Sequence, residues 1–346
     1  MTLLALSSTT ALEDVLSACR AAGVSARAWP LAHTPLVEIA LESSEVARIV
    51  DGIAGVRATD LRAPVLSTRA LREEARIVDV GSIAFGGRAI PVIAGPCSID
   101  DEERLTRVVG RVKREGAALF RAGAFKARTS PFAFQGHGLA ALDAIARTKR
   151  AHHMPAVAEV LTPEDVGPLA EVCDVLQVGA RSMQNTALLK ALGRTRRPVL
   201  LKRGLASTVD ELLCAADYVL AEGNDDVILC ERGVRTFEGA VRFSLDVTSL
   251  ALLKTRTRLP VVVDPSHAGG RADLVLPVAR AGIAAGADGL LVEVHDDPAE
   301  SLSDGEQALT LDAFATLMRD VERIARAVDR TIARPERAME GVQLVA

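Results

Sequence analysis

The sequence predicts an α/β protein: a (β/α)8 TIM barrel preceded by a small α+β unit. Three observations predict it. From residue 91 onward, eight short apolar runs alternate with amphipathic helical stretches, the count and order of a (β/α)8 barrel. Several of those runs are near-continuous Val, Ile and Leu, as in parallel strands covered on both faces. Before residue 66 the order of elements is different, and an Arg- and Glu-rich stretch joins the two parts.

The chain has 346 residues, 49% hydrophobic and 25% charged, enough for a full core in one large domain or two. Net charge is −4 and no long basic run occurs, which argues against a nucleic-acid partner. Aromatic residues make up 3%, too few for base-stacking platforms. No apolar run approaches the roughly 20 residues that span a bilayer, and no signal-peptide pattern opens the chain, so a cytoplasmic protein with no membrane partner is expected. Five cysteines, at 19, 97, 173, 214 and 230, form no tight spacing pattern and are expected as free thiols.

The first unit spans about residues 1–65. "TLLALSS" is a short apolar strand. "ALEDVLSACRAAG" has helical spacing and stops at Gly23. "VSARAWPLA" and "PLVEIALE" follow as strands. "SSEVARIVDGIAGV" is a helix with Ser43 or Ser44 placed to cap it, and "RATDLRA" is a last strand. The order β-α-β-β-α-β is that of a ferredoxin-like unit. His33 and Cys19 are its only soft ligands, and Cys19 falls in an apolar helix pattern that predicts core. Residues 66–90 form a linker and a hairpin, "RIVDVGSIAFGGRAI", with its turn predicted at Gly86–Gly87. The barrel is expected over 91–330, and 331–346 is a tail without signals.

The barrel runs are "PVIAGP", "AALFRAG", "MPAVAEVL", "VLQVGAR", "PVLLKRG", "DVILCERG", "LPVVVDPSH" and "DGLLVEVH". Asp100 or Asp101 caps "EERLTRVVGRVKREG", which is acidic in its first turn and basic in its last. "TVDE" at 208–211 fits a capping box.

Active sites of such barrels lie at the C-terminal ends of the strands. Those ends here hold Cys97, Arg121 with the following Lys126, Arg128 and Thr129, Glu159, Arg181, Lys202, Arg232, His267 and Glu293. Charge at the end of an apolar strand is costly unless it is paired. Cys97, His267 and Glu293, with Asp304 in the next loop, supply a thiolate, an imidazole and two carboxylates. That donor set suits a divalent transition metal rather than Mg or Ca. Arg121, Lys126, Arg128, Arg181, Lys202 and Arg232 converge on one mouth and call for anions, in keeping with two small anionic ligands, at least one phosphorylated. The bland alternatives remain for other residues. Cys173, Cys214 and Cys230 are expected in the core. His295 is a strand-end polar residue, and His152 and His153 end a helix. Glu159 fits an ion pair or a catalytic role equally. Arg235 fits surface or site, and "GHG" at 136–138 is a turn.

Taken together, "IAGPCS", "RAGAFKARTSPFAFQG", "LQVGARSMQN", "VLLKRG", "VILCERGVRTFE", "VVVDPSHAGGR" and "LLVEVH…LSDGEQ" resemble the 3-deoxy-D-arabino-heptulosonate 7-phosphate (DAHP) synthases, in the microbial subgroup related to the 3-deoxy-D-manno-octulosonate 8-phosphate (KDO8P) synthases. The resemblance covers roughly residues 76–328. It implies condensation of phosphoenolpyruvate with erythrose 4-phosphate, the first step of the shikimate pathway, and a metal (Mn, Fe, Co or Zn) on Cys97, His267, Glu293 and Asp304. It further implies Arg121, Lys126 and Lys202 on phosphoenolpyruvate, Arg181 and Arg232 on its phosphate, and Arg128 and Thr129 on the aldose phosphate. Glu159 joins the substrate-binding set, and Lys126, Cys97 and His267 are the implied catalytic residues. An aromatic amino acid effector on residues 1–65 and a homo-oligomer, dimer or tetramer, are expected. Two departures stand out: Ala127 replaces a proline of the usual Lys-Pro-Arg-Thr, and Glu306 replaces a proline often seen in the last motif. Competing readings are KDO8P synthase, using arabinose 5-phosphate, and a non-catalytic amino-acid sensor.

Overall fold

The structure, a computed structural model, describes residues 2–29, 35–59 and 64–334. His33 and residues 335–346, most of the expected tail, lie outside the described residues. The chain opens with β1 (Thr2–Leu6), α1 (Thr9–Ala21), β2 (Ala26–Trp29), β3 (Leu36–Ile39), α2 (Ser43–Ile49) and β4 (Val56–Thr59). The four strands form one antiparallel sheet in the order β2-β3-β1-β4. Ser8 caps α1 by accepting from Ala11 N at 3.1 Å, and Gly23 follows the helix with φ 68°. Neither Ser43 nor Ser44 caps α2. Glu42 occupies the N-cap position, and its N–H donates back to Glu45 at 3.4 Å. Period-two alternation divides the sheet between two cores. Leu4, Leu6, Val37 and Ile39 pack with Leu12, Val15, Cys19 and Val46 of the two helices. Leu3, Ala5 and Leu36 join the large apolar cluster that also covers the outside of the barrel.

A short hairpin follows, β5 (Val78–Val80) and β6 (Ile83–Phe85), then β7 (Ala89–Ile90). Its turn is Gly81–Ser82, not Gly86–Gly87, because Val78 pairs with Phe85 and Val80 with Ile83. Gly86 has another task. At φ 94° it passes so close to the Arg76 carbonyl that a Cβ would lie 2.7 Å from the oxygen.

Eight parallel strands close the barrel: β8 (Val92–Gly95), β9 (Leu119–Arg121), β10 (Ala156–Val160), β11 (Val175–Val178), β12 (Val199–Lys202), β13 (Val227–Glu231), β14 (Val261–Val263) and β15 (Gly289–Glu293). The intervening helices are α3 (Glu102–Arg114), α4 (Leu142–His152), α5 (Val166–Val172), α6 (Thr186–Gly193), α7 (Val209–Ala221), α8 (Val247–Arg256), the single turn α9 (Pro265–Gly269) and α10 (Ala272–Ala284), and α11 (Leu311–Ala327) follows the last strand. Asp101, not Asp100, caps α3, accepting from Arg104 N at 2.7 Å. The Thr208/Glu211 capping box of α7 is present, with Glu211 N donating to Thr208 at 3.1 Å. The first residues of the expected tail form β16 (Thr331–Ile332), parallel to β7.

Ile93, Leu119, Val157, Val175, Leu200, Ile228, Cys230, Val262 and Leu291 fill the barrel interior together with Val78, Val80, Ile83 and Phe85 of the hairpin, which therefore plugs one end. That end is the N-terminal one, leaving the other for chemistry. The linker is strapped to the same end. Asp217 of α7 accepts from Val65, Leu66 and Ser67 N at 2.5, 3.2 and 2.8 Å. Arg76 pairs with Asp226 just before β13, and Thr257, just before β14, donates to Ser67 O at 2.5 Å. No helix among the described residues is long and apolar enough to cross a membrane.

Candidate active site and metal centre

Strand periodicity builds the site. The side chain two residues beyond an inward apolar residue also points inward, one layer higher. Leu119 is thus followed by Arg121, Val157 by Glu159, Val175 by Gln177, Leu200 by Lys202, Cys230 by Arg232, Val262 by Asp264 and Leu291 by Glu293. The lower layer is apolar and the upper layer polar, so the barrel changes character along its axis.

The ligand-type atoms of Cys97, His267, Glu293 and Asp304 all lie within 4.8 Å of one another. Cys97 Sγ is 3.3 Å from Asp304 Oδ2, and His267 Nε2 is 3.2 Å from Glu293 Oε1. His267 Nδ1 lies 2.7 Å from Asp264 Oδ2, which also accepts from Lys202 Nζ at 2.6 Å. An ionised Asp264 can only accept, so the imidazole proton sits on Nδ1 and Nε2 presents a lone pair to the cluster. Burial pushes His267 down to about 4, so the ring is neutral. Burial works to raise Asp264, but His267 and Lys202 hold it well below the usual carboxylate range. Glu293 Oε1 is buried, 3.0 Å from Arg121 Nη1, yet makes no directed hydrogen bond.

This chemistry fits a cation. Two lone-pair atoms, His267 Nε2 and Glu293 Oε1, face one another beside a thiol and a second carboxylate. Lys126 Nζ touches both Cys97 Sγ and Asp304 Oδ2, a positive charge already drawn to the donors. Burial and then Glu293 push the Cys97 thiol up to about 12, outweighing Lys126 and Arg121. Burial disfavours a charged Lys126, but Cys97, Glu293 and Asp304 more than offset it, and its pKa is raised.

Above the cluster opens a cavity of about 310 Å³, lined by Lys126, Ala127, Arg128, Thr129, Glu159, Arg181, Lys202, Arg232, Arg242, His267 and Asp304, among others. Cys97, Arg121 and Glu293 are not among its lining residues; they are buried and join the site through Lys126 and His267. Arg232 is buried, its guanidinium carbon 4.1 Å from the centre of the Phe243 ring, and its Nη1 makes no hydrogen bond. A buried cation with an unused donor at a cavity wall is built to receive an anion. Glu159 lies over Gly179: a Cβ there would sit 2.0 Å from its Oε1, while Gln177 Nε2 donates to its Oε2 at 3.0 Å. Arg235 is exposed; in place of the expected turn at 136–138, Gly136 bridges to Phe125 and Gly138 opens a short 3-10 helix, both glycines having positive φ.

Several participants escaped the sequence reading. Asp264 lay in plain view in "DPSH", where its spacing from His267 was the signal. Gln307 donates to Glu293 Oε2 at 2.5 Å and accepts from Arg242 Nη1 at 2.9 Å, tying β15 to a cavity wall. Arg203 pairs with Glu231 at 2.7 Å and Asp246 at 3.2 Å, holding the loop that carries Arg232 and Arg242. Glu306 is exposed and does not line that cavity, but it lines a neighbouring one together with Arg242 and Asp304.

Residues 67–329 match the family model described as the DAHP synthetase I family. A phospho-2-dehydro-3-deoxyheptonate aldolase of Thermotoga maritima is 41% identical over 263 residues, covering 76% of this chain and 78% of that one. A 2-dehydro-3-deoxyphosphooctonate aldolase of Geobacter sulfurreducens is 33% identical over 268 residues, covering 72% and 97%. The crystal structure of the Thermotoga maritima DAHP synthase superposes with a TM-score of 0.77 at 35% identity, covering 96% of this chain and 99% of that one. A truncated form of the Thermotoga enzyme gives a TM-score of 0.72 at 38% identity over 77% of this chain. With a parallel barrel, a cation-lined mouth and a family match over most of its length, this chain belongs to the DAHP synthetase I family.

Proposed function

We propose that this chain is a metal-dependent DAHP synthase, joining phosphoenolpyruvate to erythrose 4-phosphate with release of phosphate. The observation that carries this reading is the Cys97–His267–Glu293–Asp304 cluster at the base of the cation-lined cavity. The higher identity to the heptonate aldolase than to the octonate aldolase supports the four-carbon aldose over arabinose 5-phosphate.

Cys97, His267, Glu293 and Asp304 would hold a divalent transition metal: Mn, Fe, Co or Zn. Such an ion supplies Lewis acidity toward the aldehyde oxygen. Arg121, Lys126 and Lys202 bind and orient phosphoenolpyruvate, with Arg181 and Arg232 on its phosphate. The unused Arg232 donor supports that role. Arg128 and Thr129 hold the aldose phosphate. C3 of the enol forms a bond to the aldehyde carbon, C2 takes water, and its C–O bond to phosphate breaks. Lys126, kept protonated by the anions around it, is suited to give its proton to the developing alkoxide. Glu159 is suited to handle the proton of the incoming water. Fixing two anions among immobile cations supplies much of the rate.

Residues 1–65 form a ferredoxin-like regulatory unit, 66–90 the linker and capping hairpin, and 91–330 the catalytic barrel. The β2-β3-β1-β4 sheet order and the extent of the Thermotoga superposition support that division. The strap on Asp217 supports a unit anchored at the closed end of its own barrel. Tyrosine or phenylalanine is the proposed effector, and a homo-oligomer the proposed assembly.

Phosphate release from phosphoenolpyruvate with each aldose in turn tests the activity. Turnover with erythrose 4-phosphate and little with arabinose 5-phosphate is expected. The reverse preference would make the chain a KDO8P synthase, and no release with either would overturn the enzymatic reading.

A further inference from the structure

The loop that leaves β15 must return across the barrel rim to bring Asp304 over Cys97. One carboxylate holds both ends of that excursion. Asp100, near Cys97 on the loop after β8, is only 6% exposed at its side chain. Its Oδ2 lies 2.7 Å from His295 Nε2, where the excursion begins, and its Oδ1 accepts from Leu302 N at 3.4 Å, near where it ends. His295 is buried, and its Nδ1 accepts from Asp297 N at 3.1 Å, an N–H shared with Asp296 Oδ1 at 3.0 Å. Asp100 Oδ2 is a carboxylate oxygen and accepts, so a ring proton sits on Nε2, while Nδ1 also lies 3.4 Å from Asp296 Oδ1.

Two further contacts close the same gap. Ser98 Oγ and Ser303 Oγ, each beside a ligand residue, are 2.5 Å apart. Arg104 of α3 reaches Asp100 at 3.4 Å, Asp296 at 3.1 Å and Glu300 at 2.5 Å. Asp304 itself has φ 53° and ψ 31°, a left-handed conformation that a non-glycine residue keeps only where its surroundings hold it.

We infer that Asp100 and His295 are a positioning pair, holding the Asp304 loop against the Cys97 loop and thereby setting the geometry of the metal centre. The inference rests on the metal reading above. Neither residue contributes a ligand atom to the cluster; the pair acts through Asp304. Groups that orient metal ligands in this way typically change metal affinity by about 10- to 100-fold when replaced.

The test is Co(II) titration of the metal-free, full-length protein, followed by the thiolate-to-cobalt absorption band, the d–d bands and chelator competition. His295→Asn keeps an acceptor near the Nδ1 position but cannot donate to Asp100; His295→Gln retains a donor near the Nε2 position. The expected result is a loss of about 10- to 100-fold in Co(II) affinity for His295→Asn and Asp100→Ala. Their thiolate band should be kept, with d–d bands altered by loss of a carboxylate, and His295→Gln should stay within about threefold of wild type. Wild-type affinity and d–d bands in folded His295→Asn and Asp100→Ala would overturn the inference. So would a His295→Gln as weak as His295→Asn. Should these buried substitutions fail to fold, the near-isosteric Asp100→Asn has one amide oxygen and can accept at only one of the two positions that hold His295 and Leu302, so it should weaken Co(II) in the same direction; unchanged affinity there overturns the inference as well. If wild type gives no thiolate band, or Cys97→Ala keeps it, the metal reading itself fails and this inference falls with it.

Discussion

Metal binding should be steeply pH-dependent, and the structure says which proton is responsible. Burial and Glu293 push the Cys97 thiol up to about 12, while His267 lies at about 4 and Asp304 and Glu293 are held below the ordinary carboxylate range. Between pH 6 and 9 the imidazole is therefore already neutral and both carboxylates already ionised. Only the thiol must change state, because the thiolate is the ligand. At pH 7 the thiol is therefore almost wholly protonated, and each pH unit multiplies the thiolate fraction by ten. The apparent Kd should fall about tenfold per unit, roughly 1.4 kcal/mol, with one proton released per metal. Chelator competition at each pH and calorimetry in two buffers of different ionisation enthalpy measure both quantities. A slope of two would mean that Lys126 surrenders its proton as well. A flat Kd, or the same slope in Cys97→Ala, would refute the reasoning.

Further outcomes follow from individual contacts. Arg128→Ala should raise KM for erythrose 4-phosphate by roughly 10- to 150-fold, the equivalent of about 1.5–3 kcal/mol for a charge-assisted contact, and leave KM for phosphoenolpyruvate nearly unchanged in steady-state kinetics. Gly179→Ala places a methyl 2.0 Å from Glu159 Oε1, so kcat should drop while the melting curve barely moves; normal turnover would detach Glu159 from the chemistry. Deleting residues 1–63 should leave phosphate release substantial and abolish inhibition by tyrosine or phenylalanine, whereas a deletion through 67 also removes the three backbone donors of Asp217 and should cost about 1–3 kcal/mol in denaturant unfolding for the stranded carboxylate. An inhibited truncated barrel would locate the effector site elsewhere.

Much of the fold was legible because a strand covered on both faces tolerates little but Val, Ile and Leu, and eight such runs admit few architectures. Each polar residue ending a run was conspicuous against that background, which is why Cys97, Lys202, His267 and Glu293 stood out. What escaped was pairing. Asp264 resembles an ordinary helix cap, and it does accept from His267 N at 2.9 Å, while its other oxygen orients the imidazole. His295 was set aside because nothing in a one-dimensional pattern brings it to Asp100, a contact made only when the first and last barrel strands meet. Gly86–Gly87 outweighed Gly81–Ser82 as a turn signal, yet the register placed the turn at the weaker pair because Val78, Val80, Ile83 and Phe85 must all face the barrel interior.

The most direct test of the central claim is phosphate release from phosphoenolpyruvate and erythrose 4-phosphate by chelator-stripped protein whose metal content has been verified, before and after addition of one equivalent of divalent metal. The stripped enzyme should not turn over, Mn, Fe, Co or Zn should restore activity, and a folded Cys97→Ala variant should not be restored. Full turnover in the verified metal-free protein would contradict that claim.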